Sequence, residues 1–203
     1  NFLNKTNILE FPINWNNKSF SKLWLYNLHY FDNLHSNDAD PDVNLRLLND
    51  WIKQNPFPDG NGWEPYPISI RLVNVIKYWL NGNCLEETIF DNLYTQANYL
   101  FNNLEQHILA NHYLTNLKAI LFAGIIFQKD DWTSFATKEL LKEIDEQLNN
   151  DYMNYELSPM YHALMLVDFL DMFNLSRAYE DKFSSALSNK LKAKIPNMLN
   201  ILE

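Results

Sequence analysis

The sequence predicts an all-α fold, and three observations carry that prediction. Gly accounts for only 4 of 203 residues, against an ordinary share of roughly 7%; so few glycines argue against hairpin-rich sheets, a Gly-rich nucleotide cradle and repeated tight turns. Hydrophobic residues make up 47% of the chain and aromatics 15%, far too much apolar surface for disorder. Apolar positions recur at helical spacing along most of the length, as at Val43, Leu45, Leu47, Leu48, Trp51 and Ile52.

Taken in order, residues 1–35 are dense in aromatics (Trp15, Phe20, Trp24, Tyr26, Tyr30, Phe31) and read as a lead-in packed on the domain. Ile8–Phe11 before Pro12 is expected to be irregular or a short strand, and residues 23–31 fit strand and helix periods equally. Asp40-Pro41 opens a helix to about Gln54, since Pro is suited to the first helical position. The segment 55–66, NPFPDGNGWEPY, holds two of the four glycines and reads as a loop. Pro67 starts a second helix that stops at Asn81-Gly82. Further helices are expected over about 85–105, 112–127 and 132–148, then from Ser158-Pro159 to about Phe173, and over about 177–202 with a weak point at Pro196. The second, fourth and sixth helices are rich in small and aliphatic residues, while the third, fifth and seventh are more polar outside. That alternation suggests inner and outer helices of antiparallel hairpins, an incomplete α/α toroid covering residues 36–203. No heptad persists long enough for a coiled coil.

Charge and composition narrow the function. The net charge is −9, which disfavours a nucleic-acid binder. The single Cys84 excludes an internal disulfide framework and a cysteine zinc cluster. The absence of 18 consecutive apolar residues excludes a membrane-spanning helix. No cofactor or metal is expected: His112 and His162 lack the spacing of a metal motif. The chain begins Asn1-Phe2-Leu3-Asn4 and is expected to be a fragment, so the lack of a signal peptide says little about location.

The three inner helices each begin with polar or aromatic residues. The second follows Trp63-Glu64-Pro65-Tyr66 and carries Arg71; the fourth starts Asn111-His112 with Asn116 on the same face; the sixth starts Ser158-Pro159-Met160-Tyr161-His162. Were these helices parallel, their N-termini would gather polar groups suited to a carboxylated ligand. Each residue also has a purely structural reading. Trp63 and Tyr66 can plug a loop onto the core, Glu64 can serve as a helix N-terminal charge, and Asn111 as an N-cap. His112 and His162 can be satisfied core histidines, and Tyr161 ordinary packing. His29, His35 and His107 form no constellation.

The strings LWLYNLHYFDNL (23–34), NGWEPYPISIRLVNVIKYW (61–79), LEQHILANHYLTNLKAILFAG (104–124) and LSPMYHALMLVDFLDMFN (157–174) resemble, in order, the N-terminal domain of heparinase II/III-like polysaccharide lyases. The resemblance implies a toroid followed by a C-terminal β-sandwich, absent here, with an acidic polysaccharide as substrate. It implies that Asn111 helps neutralise a uronate carboxylate and that Tyr161 transfers protons. His112 occupies a position that some relatives use in the site, and the sandwich domain usually supplies a further histidine. It also implies roles in bacterial surface-polysaccharide metabolism, and the substrate class favours a periplasmic or extracellular location. There are departures: Ala110 replaces a frequent Gly, Leu157 stands where a basic residue is common, and Asn149–Asn154 replaces a Gly-rich turn.

The implied chemistry is β-elimination, in which the C5 proton of a uronate is removed and the bond to O4 breaks. Neutralising the carboxylate stabilises the enolate, and losing one such donor ordinarily costs about 100–1000-fold. Asn111 fits that role, with Arg71 or His112 assisting. A tyrosine ionises near 10 in ordinary surroundings, so a base role for Tyr161 requires nearby positive charge. Trp63 and Tyr66 are expected to stack on sugar rings, with Glu64, Arg71, Asn116 and His162 binding substrate. Because the chain is acidic, a polyuronate demands a local basic cleft, for which Arg46, Arg71, Lys77 and Lys118 are the candidates. The fragment alone is expected to be inactive. The alternatives are a non-catalytic glycan-binding scaffold, and a toroid glycoside hydrolase pairing Glu64 with a second carboxylate.

Overall fold

A computed structural model describes residues 1–106 and 110–202; His107 lies outside the described residues. Among them are eight α-helices: α1 Lys22–Tyr30, α2 Pro41–Gln54, α3 Pro65–Leu80, α4 Glu87–Phe101, α5 Ala110–Ile126, α6 Asp130–Gln147, α7 Pro159–Ala178 and α8 Ser185–Leu199. Short 3-10 turns lie at Asp32–His35 and Asn61–Trp63. The chain divides into two compact units, Asn1–Asn103 and Leu104–Glu203.

Local chemistry fixes the helix starts. Ser21 accepts the Trp24 amide and Asp40 accepts those of Asp42 and Val43. Ser158 and Ser184 likewise accept the Tyr161 and Leu187 amides. Proline occupies the first helical position of α2, α3 and α7, where its missing N–H is no loss.

In the first unit, α1 and α3 lie side by side and run parallel. Their contacts climb together: Tyr26 to Glu64, the His29 carbonyl to Arg71, the Tyr30 carbonyl to Asn74. Helix α4 returns antiparallel to α3, with Arg71 meeting Gln96 and Trp79 packing on Phe90. Arg71 organises the interior. Only 1% exposed, it donates to the Gln96 side chain at 2.8 Å, the His29 carbonyl at 3.1 Å and the Gly62 carbonyl at 2.7 Å. Its guanidinium also stacks 3.9 Å over the Trp51 ring. Gly62 is required by proximity, since a Cβ there would stand 2.7 Å from the His29 ring.

The second unit repeats the arrangement. Helix α6 folds back on α5 so closely that a Cβ on Gly124 would fall 2.5 Å from Thr133 Oγ1. Helix α8 runs antiparallel to α7, with His162 near Met198 and Ser176 near Ser188. Helices α5 and α7 are parallel, because Thr115 and Lys118 meet Asp168 and Asp171 in rising order. The Lys118 ammonium is buried between the two aspartates, at 2.8 and 2.6 Å.

Two open segments are decided and two helix bounds need correcting. Within the 1–35 segment, the stretch left open between strand and helix is helical: residues 22–30 form α1, the parallel neighbour of α3. Of the two readings of Ile8–Phe11, irregular or strand, the irregular one holds, and Ile8 is 89% exposed; the only bridges among the described residues are Phe2–Lys5 and Leu148–Asn154. The sixth expected helix does not stop at Phe173 but continues to Ala178, because Met172, Leu175 and Ser176 remain buried. The helix expected over 177–202 therefore starts later, at Ser185, and passes through Pro196.

Candidate functional site

Asn111 and His112 lie in the first turn of α5, both half-buried. Tyr161 lies in the first turn of α7, also half-buried, its amide capped by Ser158 Oγ at 3.4 Å. Since α5 and α7 are parallel, these starts share one end of the second unit. Carried back from the Thr115–Asp168 and Lys118–Asp171 contacts, the register sets Asn111 level with Leu164. Tyr161 then lies about one helical turn, roughly 5 Å, nearer the end.

Two further residues named from sequence support this end from within. Asn116 is 0% exposed. Its Oδ1 accepts the Glu105 backbone N–H at 2.9 Å, and its Nδ2 donates to Glu105 Oε2 at 3.1 Å. Glu105 Oε1 accepts from His112 Nδ1 at 3.1 Å. His162 is also fully buried: Nδ1 accepts the Asn154 amide at 3.2 Å and Nε2–H donates to the Met198 carbonyl at 2.9 Å. It therefore stitches the 149–157 loop and the end of α8 to the base of Tyr161. Leu157, in that loop, is 68% exposed with φ 54°.

The residues of the first unit fall into two groups. Trp63 and Arg71 are interior. Trp63 donates its indole N–H to the Asn55 carbonyl at 3.1 Å and is enclosed by Trp51, Phe57 and Tyr99. Glu64 and Tyr66 are half-buried at the start of α3. Glu64 forms an ion pair with Lys22 at 2.9 Å and accepts the Tyr26 hydroxyl. Tyr66 meets Tyr30 edge-on, ring centroids 6.0 Å apart. Sequence reasoning missed Tyr26 and Tyr30, although their i,i+4 spacing on one helix face was a usable signal. It also missed Glu105, which no periodicity connects to His112.

Of the cations expected to balance a polyanion, Arg71 and Lys118 are buried and already neutralised or hydrogen-bonded. Arg46 is exposed, stacked 3.9 Å over Phe11, and Lys77 is half-buried. Among the described residues, no three His, Cys, Asp or Glu side chains are grouped to hold a metal ion. None of the described helices is long and apolar enough to cross a membrane.

Residues 44–202 match the family model described as Heparinase II/III N-terminus. The chain belongs to this family. It is 26% identical over 168 residues to the heparin-sulfate lyase of Pedobacter heparinus, a match covering 72% of this chain and 25% of that protein. The solved structure of heparan sulfate lyase HepC from Pedobacter heparinus superposes with a TM-score of 0.70 at 22% identity, over 97% of this chain and 34% of that one. A mutant of the same lyase gives 0.65 at 23% identity, over 95% and 34%. This heparinase II/III N-terminal domain thus spans about a quarter of the curated relative and a third of the solved ones. The all-α fold class expected from sequence is borne out, and the paired antiparallel helices are consistent with an incomplete α/α toroid.

Proposed function

We propose that this chain is the N-terminal domain of a polysaccharide lyase that cleaves uronate-containing chains by β-elimination, outside the cytoplasm and in company with a C-terminal β-sandwich. The observation that supports the reading is the parallel register of α5 and α7, whose first turns carry Asn111 and His112 on one helix and Tyr161 on the other. In the proposed step a base removes the C5 proton, and the electron pair forms the C4–C5 double bond. The C4–O4 bond breaks, and O4 leaves with a proton from an acid. Asn111 and the first turn of α5 neutralise the uronate carboxylate as charge develops. Tyr161 passes a proton at C5 or O4. Glu64 and Tyr66, with Tyr26 and Tyr30 beside them, contact sugar. Trp63, Arg71, Asn116 and His162 act behind the surface, holding the residues that touch substrate.

The test is to incubate the chain, and the longer polypeptide proposed to carry it, with a panel of uronate polymers. Ultraviolet absorbance of the unsaturated product is followed. The expected result is no turnover by the isolated chain, and turnover by the longer protein that falls at least tenfold with Tyr161→Phe. Unchanged turnover in that variant removes Tyr161 from the chemistry. Robust product from the isolated chain overturns its proposed dependence on a second domain.

One observation favours the second reading, a glycan-binding module without chemistry: Arg71 and Lys118 are buried, and Leu157 adds no charge. A lyase-negative protein that still binds the polymer would support it. A hydrolase built on Glu64 finds less support, since the partners of that carboxylate are Lys22 and Tyr26.

A further inference from the structure

Glu105 lies just ahead of α5, 9% exposed, and no sequence motif draws attention to it. A carboxylate so placed needs partners, and it has two on one face of α5: His112 through Oε1 and Asn116 through Oε2, each at 3.1 Å. The Asn116 amide has only one workable orientation. Its Oδ1 must face the Glu105 backbone N–H, 2.9 Å away, so its Nδ2 must face the carboxylate. This clasp holds the carboxylate from both its backbone and its side chain, and aims Oε1 at the imidazole.

A carboxylate only accepts hydrogen bonds, so the ring must donate. We propose that Glu105 is a positioning residue: it locks His112 as the Nδ1–H tautomer, leaving Nε2 unprotonated as a proton acceptor at the start of α5. The exposure gradient fits, with the His112 side chain 31% exposed and that of Glu105 11%. The imidazole reaches the surface, and the carboxylate that orients it stays behind. A base oriented by a third group is a recurrent catalytic pattern. This assignment rests on the proposal that His112 belongs to the site, but its test does not need activity.

The experiment is a two-bond nitrogen–proton correlation spectrum of the 15N-labelled chain, above the imidazole titration range. The His112 signals are assigned by comparison with His112→Gln. The expected pattern has a protonated Nδ1 and an unprotonated Nε2. Glu105→Gln keeps the volume and the bond to Asn116 but offers the ring an N–H, so the dominant tautomer should revert to Nε2–H. Two results overturn the proposal: a dominant Nε2–H tautomer in the native chain, or an unchanged Nδ1–H tautomer in folded Glu105→Gln. If that variant does not fold, the native spectrum alone decides. An active lyase with the Nε2–H tautomer sinks this assignment and leaves the proposed function standing; an inactive protein with the Nδ1–H tautomer does the reverse.

Discussion

Lys118 of α5 donates to Asp168 of α7 at 2.8 Å, and the same ammonium reaches Asp171 at 2.6 Å. This contact sets the parallel register of the two helices and hence the relative level of Asn111 and Tyr161. Burial by itself would lower the Lys118 pKa, but the two aspartates outweigh it and hold the value above the ordinary 10.5. Removing one partner of a buried pair leaves charge uncompensated, so Lys118→Met should destabilise the chain by about 3–5 kcal/mol in urea titrations. A raised folded-state pKa stabilises below the unfolded value and ceases to as pH rises through the folded one. The gap between native and Lys118→Met chains should therefore hold steady from neutral pH to about 10 and narrow above it, and it should narrow again in acid, where the two aspartates protonate.

His29 gives the opposite dependence. Burial, reinforced by the nearby Arg71 charge, lowers its pKa from 6.5 to about 3, while a backbone contact with Trp15 opposes the shift. The folded chain thus resists protonation that the unfolded chain accepts. Its contribution is complete above 6.5 and is lost as pH falls toward 3, on the order of 5 kcal/mol in all. Denaturant midpoints measured from pH 7 down to 4 should fall steadily. Replacing His29 with Gln, which can still accept from Trp51, should flatten that slope while lowering stability at neutral pH.

Leu157 adopts φ 54° with its side chain 68% exposed. A branched aliphatic residue gains nothing there and carries the steric cost of the left-handed region, about 1 kcal/mol. Leu157→Asn tolerates that conformation and should raise stability by about 0.5–1 kcal/mol, read as a small upward shift in melting temperature. A decrease would show that the leucine is covered.

Asn111 and Asn116 separate chemistry from support. Asn111→Ala should leave the melting temperature nearly unchanged and reduce turnover in the active protein by about 100–1000-fold. Asn116→Ala leaves the Glu105 carboxylate and backbone N–H short of partners, and should cost about 1–3 kcal/mol of stability. Steady-state kinetics beside thermal melts on both variants would distinguish the roles.

Proline and serine signals made most helices readable: Asp40-Pro41 and Ser158-Pro159 mark the starts of α2 and α7 where sequence placed them. Residues 23–31 were ambiguous because nearly every position is large and apolar, which erases the difference between periods of 2 and 3.6. Ser21 decides it, by capping the Trp24 amide at 3.3 Å. The site was legible as motifs and not as exposure. Trp63 and Arg71 read equally well as ligands or as core, and their burial, with Trp51 packed against both, distinguishes them. Glu105 could not be found at all, because its relation to His112 depends on how the chain enters α5.

His162 has a practical consequence for anyone shortening this polypeptide. Its Nε2–H reaches the carbonyl of Met198, in the last turn of α8. Deleting the final helix, or cutting it back before Met198, would leave that N–H buried without an acceptor and loosen the turn that carries Tyr161. The smallest version of the second unit that keeps Tyr161 in place therefore extends at least through Met198, even though none of the residues proposed to touch substrate lies beyond 161.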